Sequence, residues 1–283
     1  MAPPGMVGPR GTAVRLTLGN GLSPPLDAGY LEAGPAFDRA IPLNSSNASV
    51  QNNRGNTWLA LVEYQAGRGE PIDDAAARAL SSYRGALDVR PDYTLAFINI
   101  AETERLMALD RVRRGKDPSE ILRDARAALD RYDAANKGDV DALVLRARCA
   151  VLEARWELAG GRDPRPALAN ARQAARDALA IDGGAVAAML VEAQGAQWEA
   201  EWLSRRGSRT NAALRPGYDA IARAKAAEPH NAEALALEAA LLFIDARDRY
   251  PESATELRRR AAMLVDQALR AKPSLRPDYG ALR

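Results

Sequence analysis

The chain has 283 residues, with 39 Lys and Arg against 37 Asp and Glu for a formal charge of +2, 5% aromatic residues and a single cysteine, Cys149. So even a balance excludes the strong global field that draws nucleic acid or anionic lipid, and a lone cysteine excludes an internal disulfide and a thiol-rich metal cluster. The wealth of Ala, Arg, Leu and Glu, with few runs of Val, Ile or Thr, favours helices over strands.

Residues 1–28 carry Pro3, Pro4, Pro9, Pro24 and Pro25 among several glycines, which predicts an irregular or degenerate start; a short alternation at Thr12 to Leu18 is all that reads as strand. The first residues lack the apolar run of a signal peptide, and no later stretch approaches the roughly 20 apolar residues needed to span a bilayer. The expected location is cytoplasmic, without a membrane partner. In that setting the glycosylation-like tripeptides at Asn44 and Asn47 read as turn residues.

From residue 29 onward the chain repeats itself. Gly69, Gly115, Gly161 and Gly207 stand 46 residues apart. Self-similarity at such a period marks stacked copies of one small unit. A second set falls into the same register: Ala79, Tyr83, Ala86 and Pro91, echoed by Ala33, Phe37 and Ala40 before it and by Ala125, Leu129 and Tyr132, then Ala171, Ala175 and Ala178, then Gly217, Ile221 and Ala224, then Ala261, Val265, Ala268 and Pro273. Gaps of three and four put these residues on one helical face, small ones admitting a neighbouring helix and bulky ones filling its groove. A uniformly small column, Gly55, Ala101, Ala147, Ala193 and Ala239, marks a first helix in each unit, and Tyr64, Asp110, Trp156 and Trp202 suit the covering of the hairpin's end. At Gly115-Lys116-Asp117-Pro118 and Gly161-Arg162-Asp163-Pro164, glycine ends the first helix, aspartate caps the second and proline takes its first position.

A small residue on one helix, then Ala, aromatic, Ala and Pro at these gaps on the next, resembles the tetratricopeptide repeat (TPR). The 46-residue step exceeds that family's roughly 34 residues. Because the excess falls between the two motifs, both helices are read as longer, by about one and a half turns each. Long repeats with a Gly-x-Asp-Pro turn also resemble the arrays that follow the kinase domain in many bacterial serine/threonine kinases. The kinase motifs are absent: the single histidine, His230, precedes Asn231 instead of opening His-Arg-Asp, and neither Asp-Phe-Gly nor a Gly-x-Gly-x-x-Gly loop occurs.

The expected fold is therefore an all-α, right-handed α-α superhelix of helical hairpins over 29–283, with units near 29–50, 51–96, 97–142, 143–188, 189–234 and 235–283. A last unit cut short leaves apolar surface for a partner or for self-association with a second copy.

No catalytic, metal or cofactor site emerges. His230 follows Pro229 in a loop with no second ligand at metal spacing, and Cys149 lacks the base that would make it a nucleophile. Trp198-Glu199-Ala200-Glu201-Trp202 sets two carboxylates between two indoles, residue types that glycoside hydrolysis uses. Adjacent residues of one helix nevertheless fan out around it and cannot face each other across a cleft. The arginines near the turns complement the helix dipole.

In the resembled family the first helix lines the concave surface, which implies a ligand face at Asn56, Glu102, Arg148 and Gln194. Seven residues on, the same face shows Glu63, Leu109, Arg155 and Glu201, and Arg105 joins Arg148 and Arg155 as a group able to hold a carboxylate or phosphate. The function this implies is a non-catalytic scaffold for an extended peptide or protein segment. A regulatory segment of a kinase and, more remotely, a hydrolase built on Trp198 to Trp202 are its rivals. Pairing of Glu102, Arg105 and Arg148 among themselves is the competing account of the charges.

Overall fold

The computed structural model describes residues 47–282. The expectations for 1–28, for the Thr12–Leu18 alternation and for most of a first unit at 29–50 lie outside the described residues.

Among the described residues there are helices and no strands. Helix α1 (Ala48–Arg68) pairs with α2 (Asp73–Val89), α3 (Thr94–Arg113) with α4 (Ser119–Asp133), α5 (Val140–Ala159) with α6 (Arg165–Ile181), α7 (Val186–Arg205) with α8 (Asn211–Ala227), and α9 (Ala232–Asp245) with α10 (Pro251–Ala271). The first helices begin at residues 48, 94, 140, 186 and 232, a constant step of 46. Each packs on the next first helix, and each second helix packs on the first helix that follows it. Contacts therefore run between neighbours along the stack, which makes the protein an all-α solenoid. Among the described residues no helix is long and apolar enough to cross a membrane.

The turns within the hairpins explain the periodic glycine. Gly69, Gly115, Gly161 and Gly207 have φ of 73°, 65°, 72° and 67°, a left-handed conformation in which a Cβ is strained. Directly after each, the amide of Glu70, Lys116, Arg162 or Ser208 donates to the carbonyl five residues back, on Gln65, Arg111, Glu157 or Leu203, at 2.8–2.9 Å. This double reversal satisfies carbonyls that a helix end leaves unpaired. The second helices then start on aspartate: Asp117 accepts from the Ser119 amide at 2.8 Å and Asp163 from the Arg165 amide at 3.0 Å. Pro118 and Pro164 stand just ahead of those helices rather than as their first residue, since aspartate reaches the first helical amide from two residues upstream. The fifth hairpin has no such glycine, and a 3-10 turn at Ala246–Asp248 joins its helices. Its α9 has 14 residues, against 20 or 21 in the other first helices.

The small column is fully buried at Ala101, Ala147, Ala193 and Ala239, so first helices approach closely. Gly55 takes this to its limit: a Cβ there would fall 2.3 Å from Cε1 of Tyr83, whose ring has no exposed surface. The aligned second-helix residues Ala79, Ala86, Ala125, Leu129, Ala171, Ala175, Ala178, Ala261, Val265 and Ala268 are likewise fully buried. Arginines cover the outer column. Arg68 lies 5.3 Å from the Tyr64 ring, Arg162 6.0 Å from Trp156 and Arg206 4.9 Å from Trp202, while Arg114 pairs with Asp110 at 2.7 Å. Arg113 donates to the Ala66 carbonyl at 2.8 Å and Arg205 to the Leu158 carbonyl at 3.3 Å, tying each helix end to the neighbouring first helix. Asn47, which opens the second glycosylation-like tripeptide, is the N-cap of α1 and accepts from the Ser49 amide at 3.0 Å.

Residues 273–282 do not extend the stack outward. Two 3-10 turns, Pro273–Leu275 and Gly280–Leu282, flank the single-turn α11 (Arg276–Tyr279), and this closing segment crosses to α1 at the other end of the array.

Candidate functional site

The concave side holds a cavity of about 550 Å³. Its helical walls come from first helices alone: Glu63, Ala66 and Gly67 of α1, Glu102, Arg105, Leu106, Leu109 and Arg113 of α3, Arg148, Val151, Leu152 and Arg155 of α5, Gln194, Gln197 and Trp198 of α7, and Glu233 of α9. On α3 these positions step by three, one, three and four, a single face at the 3.6-residue period. Only the last turns of α1 and the first turn of α9 take part. The cavity thus runs obliquely across the row of helices, as the rotation between successive repeats requires. Lys272, Ser274, Leu275, Asp278 and Tyr279 of the closing segment form the remaining wall.

Of the residues singled out from sequence, Glu63, Glu102, Arg105, Arg148, Arg155 and Gln194 meet at this cavity. Asn56 and Glu201 do not. Asn56 lies two turns before the part of α1 that reaches the cavity, and its side-chain oxygen accepts from the Tyr83 hydroxyl at 3.0 Å and from Asn99 Nδ2 at 3.1 Å. Glu201 lies beyond the cavity on α7, paired with Arg205 at 3.0 Å and Arg247 at 2.7 Å. A seven-residue step along each helix assumes that all present the same stretch, whereas the oblique path uses a different stretch of each.

The same geometry separates the two carboxylates near Trp198. Glu199 pairs with Arg172, Glu201 with the two arginines above, and neither lines the cavity. Trp202 is buried beneath Arg206, while Trp198 lines the cavity with the Arg155 guanidinium 5.4 Å from its ring. Cys149 is fully buried, and that burial pushes its thiol up to about 12, so it stays protonated near neutral pH. His230 is exposed in the turn before α9.

The charges of the cavity are unevenly satisfied. Arg105 grips Glu102 with two hydrogen bonds, at 2.6 and 2.8 Å. Burial would lower its pKa, but the Glu102 charge and hydrogen bonds outweigh that and raise it. Arg113 and Arg155, one helix apart, converge on Asp278 at 2.5 and 2.9 Å. Burial works to raise the pKa of that carboxyl, yet the hydrogen bond and charge of Arg113 and those of Arg155 hold it below the ordinary carboxylate value. Glu233 accepts from Lys272 at 2.5 Å; burial again opposes ionisation, and Lys272, Arg148 and Arg105 together lower its pKa. Burial, followed by the charges of Asp278 and Glu233, raises the pKa of the Tyr279 hydroxyl, against a hydrogen bond with Gln194. Arg148 forms neither a hydrogen bond nor an ion pair among the described residues; its charge acts across the cavity on Glu233. A guanidinium in this position can take an oxygen anion from outside the chain.

Sequence reasoning singled out Trp198 only with Trp202 and not as part of the groove, and it missed Arg113 and the closing segment as parts of this wall. Trp198 had a readable signal, because it stands four residues after Gln194 on the same helical face and continues the register of Leu106 and Leu152 at 46-residue steps. Asp278 had none, since it meets Arg113 across 165 residues of chain.

No protein-family model matches the chain, and no curated protein is significantly similar to it. Among solved structures the chain is similar to YrrB, described as a TPR protein with an unusual peptide-binding site, with a TM-score of 0.46 and 16% identity over 85% of this chain and 99% of that one. So distant a likeness carries no argument about what this chain binds.

Proposed function

We propose that the chain is a non-catalytic, cytoplasmic protein–protein interaction scaffold that binds a peptide or protein segment in the groove lined by its first helices. The same reading takes the hairpins as lengthened TPR-like units near 51–96, 97–142, 143–188, 189–234 and 235–283, with the constant 46-residue step between first helices as its support. What carries it is that the concave face already receives a polypeptide: residues 272–282 lie against it, with a carboxylate between arginines of two successive hairpins. The remaining space, about 550 Å³, is within the range of ligand pockets, and it combines apolar walls at Leu106, Leu109, Val151 and Leu152 with a few fixed charges.

The test is capture of partners from native lysate by the full chain and by a variant carrying Arg148→Glu and Arg155→Glu together. Loss of the partners by the variant, with its helical content and melting profile retained, supports the groove. Retention of every partner overturns it.

A further inference from the structure

The closing segment is seated by particular contacts, and they differ in kind from those inside the hairpins. Ser274 fits where α1 carries Gly67; a Cβ there would fall 2.5 Å from that of Ser274. Asp278 occupies the fork between Arg113 and Arg155. Tyr279, the next residue, packs at the junction of the apolar clusters formed by α7 to α10 and faces the cavity beside Gln194. Of residues 272–282 only Leu275 is buried, while Pro273, Ser274, Arg276 and Pro277 are exposed.

A segment held in this way is exchangeable. Its ordering costs chain entropy, Leu275 with the partly buried Tyr279 and Leu282 offsets part of that cost, and charge-assisted hydrogen bonds supply its polar anchor. Withdrawing Asp278 leaves two half-buried guanidinium groups facing the cavity without their carboxylate, a state that favours any other carboxylate able to reach them.

We propose that this seat recognises a peptide in which a carboxylate-bearing residue is directly followed by an aromatic one, and that the chain's own Asp278–Tyr279 pair competes for it; this rests on the groove being the binding surface. The ligand is peptide because the seat spans more than one charge. It needs a helical turn with a small residue against Gly67, an acid at the arginine fork and a ring one residue on. Arg148, which the closing segment leaves without a partner, accepts a second acid on the same peptide. Because the competitor is tethered, its effective concentration is high. If it holds the seat in about nine molecules of ten, a peptide in solution binds about tenfold more weakly than to an open seat.

The experiment titrates the full chain with a synthetic peptide of residues 272–282, fluorescein-labelled at its N-terminus and amidated at its C-terminus, followed by anisotropy. The Asp278→Asn chain is expected to bind it about tenfold more tightly than the unsubstituted chain. Adding Arg155→Gln to that variant, or replacing the peptide's aspartate by asparagine, is expected to abolish the gain. Equal affinity for the unsubstituted and Asp278→Asn chains overturns the competition, and undiminished binding of the asparagine peptide overturns the acid requirement. Absence of binding to any of the chains overturns the proposal as a whole. Such a failure alongside loss of lysate partners by the Arg148 and Arg155 reversal would remove the acid–aromatic ligand and leave the groove; retention of those partners would remove the groove itself.

Discussion

Two of the neighbours of helix α1 teach different lessons. On one side α2 presses Tyr83 onto Gly55, a contact with no exposed ring surface and with the hydroxyl donating to Asn56 at 3.0 Å. On the other, the closing segment rests on Gly67 and is anchored by Asp278 and Lys272. The first contact is area removed from water, insensitive to salt and costly to undo. The second is charge on charge at a half-open surface, screened by ions and replaceable by another anion. One helix thus carries a permanent face and an exchangeable one.

The largest effect should come from the permanent face. Tyr83→Ala is expected to cost about 3 to 5 kcal/mol in chemical denaturation, because a fully buried ring leaves a cavity and Asn56 loses one of its two donors. A cost below about 1 kcal/mol would mean that the ring is not what keys α2 to α1.

Next comes Glu104, where the buried region breaks its own rule. This carboxylate on α3 is 6% exposed, its Oε2 has no hydrogen-bond partner, and burial, then Asp124, push its pKa up to about 7 against Arg84. A carboxyl raised in this way binds its proton more readily in the folded chain. Stability is therefore greatest below the ordinary carboxylate value and falls as pH rises through about 7. Glu104→Leu, the residue that stands in the same column three 46-residue steps on at Leu242, is expected to remove that slope. At pH 8 it should raise stability by about 3 kcal/mol, from roughly 1.4 kcal/mol per pKa unit over the rise from 4.5 to about 7. An unchanged slope in urea melts between pH 5 and 8 would assign the pH dependence elsewhere.

Gly115→Val tests the turns alone, since nothing lies within 4 Å of a Cβ placed there and φ is 65°. Its cost should be the backbone term, about 1 to 2 kcal/mol. A melting profile identical to that of the unsubstituted chain would deny the left-handed turn.

The smallest change in global stability belongs to the exchangeable face. Asp278→Asn should cost less than about 1 kcal/mol, as partly exposed ion pairs do, yet hydrogen exchange should show amide protection lost throughout 273–282. In the unsubstituted chain the same protection should fall as NaCl rises towards about 1 M. Because the Asp278 pKa is lowered on folding, the anchor persists at and above the ordinary carboxylate value of about 4 and is lost as pH falls through the folded value. Protection indifferent to both salt and the substitution would make this face as permanent as the other.

Local chemistry was legible. Gly69, Gly115, Gly161 and Gly207 announce left-handed turns, Asp117 and Asp163 announce helix starts, and the columns at Ala101 and Ala79 announce buried faces. The site was legible in part. Glu102, Arg105, Arg148, Arg155 and Gln194 fall on the stretches of α3, α5 and α7 that the cavity crosses, and all five line it. Asn56 and Glu201 lie in the same columns but on other stretches, two turns before the part of α1 that reaches the cavity and beyond Trp198 on α7, where the oblique path does not run.

Everything the sequence determined by itself comes from forces acting within a few residues: where helices begin and stop, which face of each is small, and the step at which the pattern returns. The tertiary structure decided which parts of those faces meet, because a small rotation at each repeat accumulates along the array while no single unit encodes the sum. It also decided that Asp278 lies between Arg113 and Arg155, a choice set by the path of a chain returning from α10 to α1, which no periodicity can express.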